Sequence, residues 1–401
     1  MKKICLVLVG LYLILLSSFA QTKPTQDSTQ YKSRKLVLEE VNFVSSYYHQ
    51  DGDNSSVTGG IGTQKLSDFA NIIDIKFAKY DKRYRKHTFT LEGGIDSYSS
   101  ASSDKIDLTA NSSASSNDIR IYPSVSWLVE SDKKRTSFGI TASASKEFDY
   151  QSFGMGINFS KKSINNNREI GFKAQAYLDK VSIILPIELR TSSNSRTDDD
   201  DYPTSSRNSL SGSITYSQII NQKLQLLFLL DLAWQKGFLS LPFHRVYMNN
   251  NTVQSEVLPS SRLKIPIGLR ANYFLGDNIV IRSFYRFYQD DWGLTSHSAD
   301  LETAIKITPF FSVSPFYRYY RQSSIKYFEP YQAHSPSDKY YTSNYDYSKF
   351  DSHFFGAGFR MAPPRGVFGN PHFSMVEIRY GHYLRNTNFN SNIISLHLQF
   401  K

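Results

Sequence analysis

A single cysteine, Cys5, stands in 401 residues, which excludes a disulfide scaffold and any cysteine-based zinc site. Charged residues are sparse at 20%, while Tyr (27) and Phe (28) are abundant, a balance that argues against disorder. Mean hydropathy is −0.40, and past residue 20 no apolar run approaches the roughly 18 residues of a membrane helix. No long segment carries the apolar spacing of a helix. What is present is a β-rich pattern with many aromatics.

Residues 1–20 read as an export signal. Lys2 and Lys3 form the charged start, Ile4 to Leu16 the apolar stretch, and Ser18 and Ala20 the small residues before a cleavage between Ala20 and Gln21. The apolar core is short for an anchor. Cys5 lies inside it, so the mature chain has no cysteine, which fits an oxidising compartment. Removal of the two lysines lowers the formal charge from +10 to about +8. Residues 21–34 are polar, include Pro24, and are expected to form a mobile arm ahead of a barrel over 35–401.

From there the chain alternates with period two. Ile73, Ile75 and Phe77 interleave with Asp74, Lys76 and Ala78; Ile121, Val125, Trp127 and Val129 with Arg120, Tyr122, Ser124 and Ser126. Leu224, Leu226, Phe228, Leu230, Leu232 and Trp234 share one face, and Ile394, Leu396, Leu398 and Phe400 close the chain the same way. Such alternation makes a strand with one apolar and one wet face. These runs exceed the roughly 5–6 residues of a soluble strand and reach the roughly 9–11 that cross a bilayer. Ser, Thr, Asn, Lys and Arg on the wet face suit a barrel lumen.

Connection lengths assign sides. The predicted connections are 49–66, 81–86, 99–117, 131–134, 146–151, 161–167, 191–207, 221–222, 237–260, 276–277, 290–295, 308–310, 326–351, 363–371 and 386–389, mostly long and short in turn. Outer-membrane barrels have long outer loops and short periplasmic turns, so the fold expected is an all-β, antiparallel transmembrane barrel of about 16 strands. The chain enters its first strand near Leu36, which leaves no plug domain. One stretch breaks parity: apolar residues are even-numbered from Ile170 to Leu178 and odd-numbered from Ile183 to Leu189. Either one long strand carries a β-bulge there, the preferred reading, or a turn at Asp179-Lys180 adds a strand. Tyr47, Tyr48, Tyr98, Tyr122, Trp127, Trp234, Tyr288, Trp292, Tyr319 and Tyr383 lie near strand ends, where an interfacial girdle is expected.

The stretches Ser46-Tyr47-Tyr48-His49-Gln50-Asp51-Gly52-Asp53-Asn54, Val57-Thr58-Gly59-Gly60-Ile61-Gly62-Thr63, Ser100 to Asp107, Arg120-Ile121-Tyr122-Pro123 and Phe172 to Asp179 resemble an exported barrel family known as domain of unknown function 3570. The resemblance covers most of the mature chain and is strongest between residues 40 and 190. It implies an outer-membrane location and assigns no activity.

Three groups of residues carry candidate chemistry. Alternation puts Lys264, Arg270, Arg282, Arg286, Lys306, Arg318, Arg360 and Arg379 on the wet face with Asp300, Glu302 and Glu377. They form either a wall that favours anions or a salt-bridge network that fills the barrel. Asp198-Asp199-Asp200-Asp201 and the turn with Asp51 and Asp53 are oxygen-rich, and calcium is the ion such oxygens would take, alone or bridging to lipopolysaccharide, although neither has the EF-hand spacing. Nine histidines form no His-Glu-x-x-His motif, and no Gly-x-Ser-x-Gly elbow occurs, so an enzyme would need a Ser–His pair assembled by the fold. Gly59-Gly60-Ile61-Gly62 lacks the Lys-Ser/Thr of a phosphate loop, and no nucleic-acid partner is expected; Lys82, Arg83, Arg85 and Lys86 read as a charged periplasmic turn.

The function expected is a passive outer-membrane pore for small polar or anionic solutes, with no cofactor. The alternative is a non-conducting barrel whose loops 49–66, 191–207, 237–260 and 326–351 hold a partner protein or polysaccharide. Tyr327, Tyr331, Tyr340, Tyr341, Tyr345 and Tyr347 would supply stacking surfaces there. Partners on either reading are outer-membrane lipid, lipopolysaccharide and the barrel-assembly machinery of a Gram-negative cell.

Overall fold

A computed structural model describes residues 34–99, 117–190 and 202–401. The signal segment, its cleavage site at Ala20 and Gln21, most of the arm, and Asp198 to Asp201 lie outside those residues.

Long alternating runs become long strands. They are β1 (Val37–Gly52), β2 (Leu66–Tyr80), β3 (Lys86–Ser99), β4 (Asn117–Ser131), β5 (Thr136–Lys146), β6 (Tyr150–Lys162), β7 (Arg168–Ser182), β8 (Thr204–Asn221) and β9 (Leu224–Gly237). A small hairpin follows, β10 (Arg245–Tyr247) and β11 (Val253–Ser255). Then come β12 (Ser261–Leu275), β13 (Ile279–Asp290), β14 (Thr295–Thr308), β15 (Phe311–Gln322), β16 (Phe350–Met361), β17 (Phe373–Arg385) and β18 (Phe389–Phe400). Among the described residues, sixteen strands form one closed antiparallel barrel, with β10 and β11 paired only to each other. The ring closes where β1 pairs with β18, from Val41 opposite Phe400 to Gly52 opposite Phe389.

The outside is apolar. Leu91, Val125, Met155, Leu210 and Trp234 stand in one cross-strand row with Ala142 and Ala176 between them, and all five large side chains are exposed. A soluble domain would bury such a row; lipid makes it favourable, and closure leaves no sheet edge unpaired. This is the transmembrane barrel that the alternation predicts. The long connections 53–65, 238–260 and 323–349 and the described residues 183–190 all lie at one end of the barrel, and the short turns 81–85, 222–223 and 276–278 at the other.

Two expectations change. Residues 168–182 form one strand whose register is continuous with both neighbours, so neither a bulge nor an added strand occurs. Parity switches because the chain leaves the sheet after Ser182, and Ile184 turns into the outer loops, 1% exposed. The aromatics also divide. Tyr47, Trp127, Trp234 and Tyr319 share the parity of the apolar exterior, whereas Tyr48, Tyr98, Tyr122, Tyr288 and Tyr383 have the inward parity. Three of the inward phenols donate to acidic side chains: Tyr98 to Glu147, Tyr122 to Asp96 and Tyr288 to Asp290.

Closure demands close backbone approach at Gly356 in β16. A methyl there would sit 1.9 Å from the Tyr380 carbonyl oxygen and 2.8 Å from the Phe316 ring. Gly356→Ala should therefore strain the β16–β17 pairing by about 1–3 kcal/mol, while Gly93→Ala, with nothing within 4 Å, should be neutral. Urea midpoints read by the heat-modifiable gel shift would show this, and equal midpoints would contradict it.

Candidate functional site

Inside the barrel β14 is the acidic strand of a basic wall. The register sets Arg282 of β13 opposite Glu302 and Arg318 of β15 opposite Asp300. Arg282 donates to Glu302 at 2.6 Å, and Arg318 pairs with Asp300. Glu302 also accepts from Arg379 at 2.6 Å, although β17 is three strands away. That reach is possible because Gly358 and Gly381 leave inward room, and the Arg379 guanidinium lies over the Phe316 ring, 5.1 Å from its centre. Arg379 also pairs with Glu377 at 3.2 Å. Arg270 rests on Phe284 and has no carboxylate partner among the described residues.

Arg270, Arg282, Arg318 and Arg379, with Asp300 and Glu302, line a cavity of 610 Å³. Four guanidinium groups against two carboxylates leave it positive. The other predicted wall residues share the inward parity but lie outside this cavity. Lys264 stands opposite Asp290, Arg286 is 3.8 Å from Asp231, and Lys306 and Arg360 are near the periplasmic ends of β14 and β16.

The facing wall is acidic at its outer rim. β4 and β14 are eight positions apart in a ring of sixteen, so they are opposite. Carboxylate oxygens of Asp118, Glu147 and Asp149 lie within 4.8 Å of one another. Tyr98 donates to Glu147 at 2.8 Å and to Asp118 at 3.3 Å, and Arg120 lies 3.4 Å from Glu147. Burial, helped by the neighbouring carboxylates, raises the Glu147 pKa against the Tyr98 and Arg120 contacts. These oxygens are the described carboxylates grouped as a cation would need. The turn singled out for calcium is different: Asp51 lies 3.6 Å from Lys65, and Asp53 is exposed. Spacing could not reveal the group, because its members come from a strand end and a three-residue loop.

Above the lumen, the outer loops form a packed cap. The loop 53–65 between β1 and β2 and the loop 238–260 between β9 and β12 start from opposite walls. They meet: Arg245 donates to the Val57 carbonyl at 2.7 Å, and Ser56 contacts His244 at 2.9 Å. Arg245 also holds Glu188 with two hydrogen bonds, 2.5 and 3.0 Å, tying in a third loop. Loop 323–349 joins through paired backbone bonds between Val257 and Tyr341, and Gly60 packs so close that a methyl would meet the Ser343 carbonyl at 2.7 Å. Leu239, Leu258, Trp292, Leu294 and Ile325 are the cap's own core. Beneath them Arg262 forms a buried ion pair with Asp290, its guanidinium 4.3 Å from the Trp292 ring centre. The loop tyrosines are engaged in this packing: Tyr327 and Tyr347 against Trp292, Tyr331 against Tyr247, Tyr345 against Phe328.

A family model described as "Protein of unknown function (DUF3570)" matches residues 83–367. The chain belongs to this family. No curated protein matches it. Among solved structures, a DUF3570 chain with this barrel is similar to the outer membrane protein OpdK of Pseudomonas aeruginosa, at 8% identity and a TM-score of 0.40, covering 92% of this chain and 99% of that one. A BenF-like porin of Pseudomonas fluorescens Pf-5 gives 8% identity and a TM-score of 0.44, covering 92% and 100%. A mutant ferric enterobactin receptor of Pseudomonas aeruginosa gives 9% and 0.45 over 86% of this chain; the DUF3570 protein spans 53% of that receptor's length.

Glu302 holds two arginines, so Glu302→Gln should free positive charge in the cavity. We expect stronger anion selectivity in reversal-potential measurements and a loss of about 1 kcal/mol in urea unfolding, since the pair is partly solvated. Unchanged selectivity would mean that this cavity does not face the permeation path.

Proposed function

We propose that the barrel is a passive pore of the Gram-negative outer membrane that favours small polar and anionic solutes. The observation that carries this reading is the cavity on the inner wall, with Arg270, Arg282, Arg318 and Arg379 set against Asp300 and Glu302. A fixed excess of guanidinium charge lowers the energy of a passing anion and repels a cation. Arg270 contributes most freely, because no carboxylate among the described residues pairs with it. A ring of sixteen strands is wide enough for water. Export by the N-terminal signal, insertion by the barrel-assembly machinery, and surroundings of lipid and lipopolysaccharide complete this reading.

The cap favours a second reading, a non-conducting barrel that presents its loops to a partner protein or polysaccharide. Loops from opposite walls meet over the mouth, and Arg245 is the residue that three of them share. On the pore reading those same contacts narrow the entrance and set a size limit.

Single-channel recording in a planar bilayer with a salt gradient separates the two. The wild type should give a small, steady conductance with an anion-leaning reversal potential. Arg245→Ala, which leaves Glu188 and the Val57 carbonyl without their donor, should raise conductance several-fold and expose loops 53–65 and 238–260 to protease. Silence from both proteins in folded form, or cation preference, would overturn the pore.

A further inference from the structure

The cap also brings together a hydroxyl, an imidazole and a carboxylate. Ser56 Oγ lies 2.9 Å from His244 Nε2, and on the other side of the ring Nδ1 lies 3.5 Å from Glu256 Oε2. His244 is 6% exposed and Glu256 3%, whereas Ser56 is only half-buried. The residue that must meet a substrate is thus the accessible one.

The surroundings hold each part in place. Glu256 accepts the Leu241 N–H at 2.8 Å and the Thr342 hydroxyl at 2.5 Å, and no Lys or Arg among the described residues pairs with it. Its own N–H donates to the His244 carbonyl at 3.0 Å, fixing carboxylate and imidazole together. The Phe243 ring meets the imidazole edge-on, with centres 4.9 Å apart. Buried Nδ1 makes no hydrogen bond among the described residues, and the Glu256 carboxylate, 3.5 Å away, is the charge it faces. Other histidines lack the full set. His49 contacts the Ser67 hydroxyl but no described carboxylate, and His334 meets Asp338 and a carbonyl but no described hydroxyl.

We propose that Ser56, His244 and Glu256 form a serine-hydrolase site on the outer cap that cleaves carboxylic esters. A hydroxyl, an imidazole and a buried carboxylate in this order are the parts that acyl transfer needs. Ser56 Oγ attacks the ester carbonyl carbon as His244 Nε2 takes the hydroxyl proton. The bond to the alcohol oxygen breaks, and that proton leaves with the alcohol. Water, deprotonated by the same imidazole, then cleaves the acyl–Ser56 ester, releases the acid and restores the serine. Glu256 is a positioning residue: it orients the ring and stabilises the imidazolium between steps. Val57, Phe243 and Leu241 give the site apolar neighbours, which suits an apolar acyl group. The reading is independent of the pore.

The test uses the full chain folded in detergent, with a tagged fluorophosphonate as probe and p-nitrophenyl butyrate and octanoate as substrates. Expected are an adduct on the Ser56 peptide by mass spectrometry and hydrolysis of both esters, faster for octanoate. Heat denaturation should abolish labelling. Ser56→Ala and His244→Gln should each lower hydrolysis by about a hundredfold or more while the heat-modifiable band stays. Glu256→Gln should lower kcat with KM little changed, because the ring loses the group that orients it; Glu256→Asp should restore part of the loss. No adduct and no hydrolysis from the folded wild type, an adduct on another serine, or folded variants that hydrolyse like the wild type would overturn the proposal.

Discussion

Everything in this molecule depends on the pairing of β1 with β18. In a bilayer an unpaired backbone N–H or C=O costs several kcal/mol, so a sheet that crosses lipid must close. The register from Val41–Phe400 to Gly52–Phe389 meets that demand with the two ends of the sheet. Once the ring is closed, alternation has only one meaning: one parity faces lipid and the other a wet interior. The outward row from Leu91 to Trp234 and the inward set of Arg282, Glu302 and Arg379 are two consequences of that geometry.

The interior is electrically uneven. Guanidinium groups gather on β12, β13, β15 and β17, and carboxylates with phenol partners gather at the rim of β4 to β6 across the barrel. Most of the arginines are held by carboxylates, which fixes their positions and spends part of their field. The paired side chains stay partly exposed, so these pairs act more through placement than through stability. Arg270, stacked on Phe284, leaves its charge least compensated.

The cap answers a different constraint. Its loops are too long to remain single excursions from the rim, and they bury apolar residues against one another, with Trp292 at 2% exposure and Val246 at 0%. Burying so much loop backbone also buries polar groups, which must find partners. Arg245, Glu256 and Thr342 meet that need by bonding between loops, and His334 by bonding Asp338 and the Thr342 carbonyl within its own. Such convergence of polar groups is what places a hydroxyl, an imidazole and a carboxylate side by side.

Strand existence, facing and side were legible in the sequence, because period two and loop length are local properties that a barrel repeats strand after strand. Arg282 opposite Glu302 was legible too, since neighbouring strands joined by one connection share a register. The parity switch after Ser182 was misleading, because a loop residue such as Ile184 can be apolar for reasons that have nothing to do with a sheet. Phenols near strand ends misled for a similar cause: Tyr122 points inward to Asp96 on the neighbouring strand, and Tyr98 to Glu147 in the loop after β5, not out to an interface. By itself the sequence determined the barrel and its polarity, through alternation that acts over a few residues. Only the tertiary structure decided that Arg379 reaches Glu302, that Asp118 meets Glu147 and Asp149, and that Ser56 meets His244 188 positions away. Those contacts depend on ring closure and on loops crossing from opposite walls, and neither leaves a mark in local spacing.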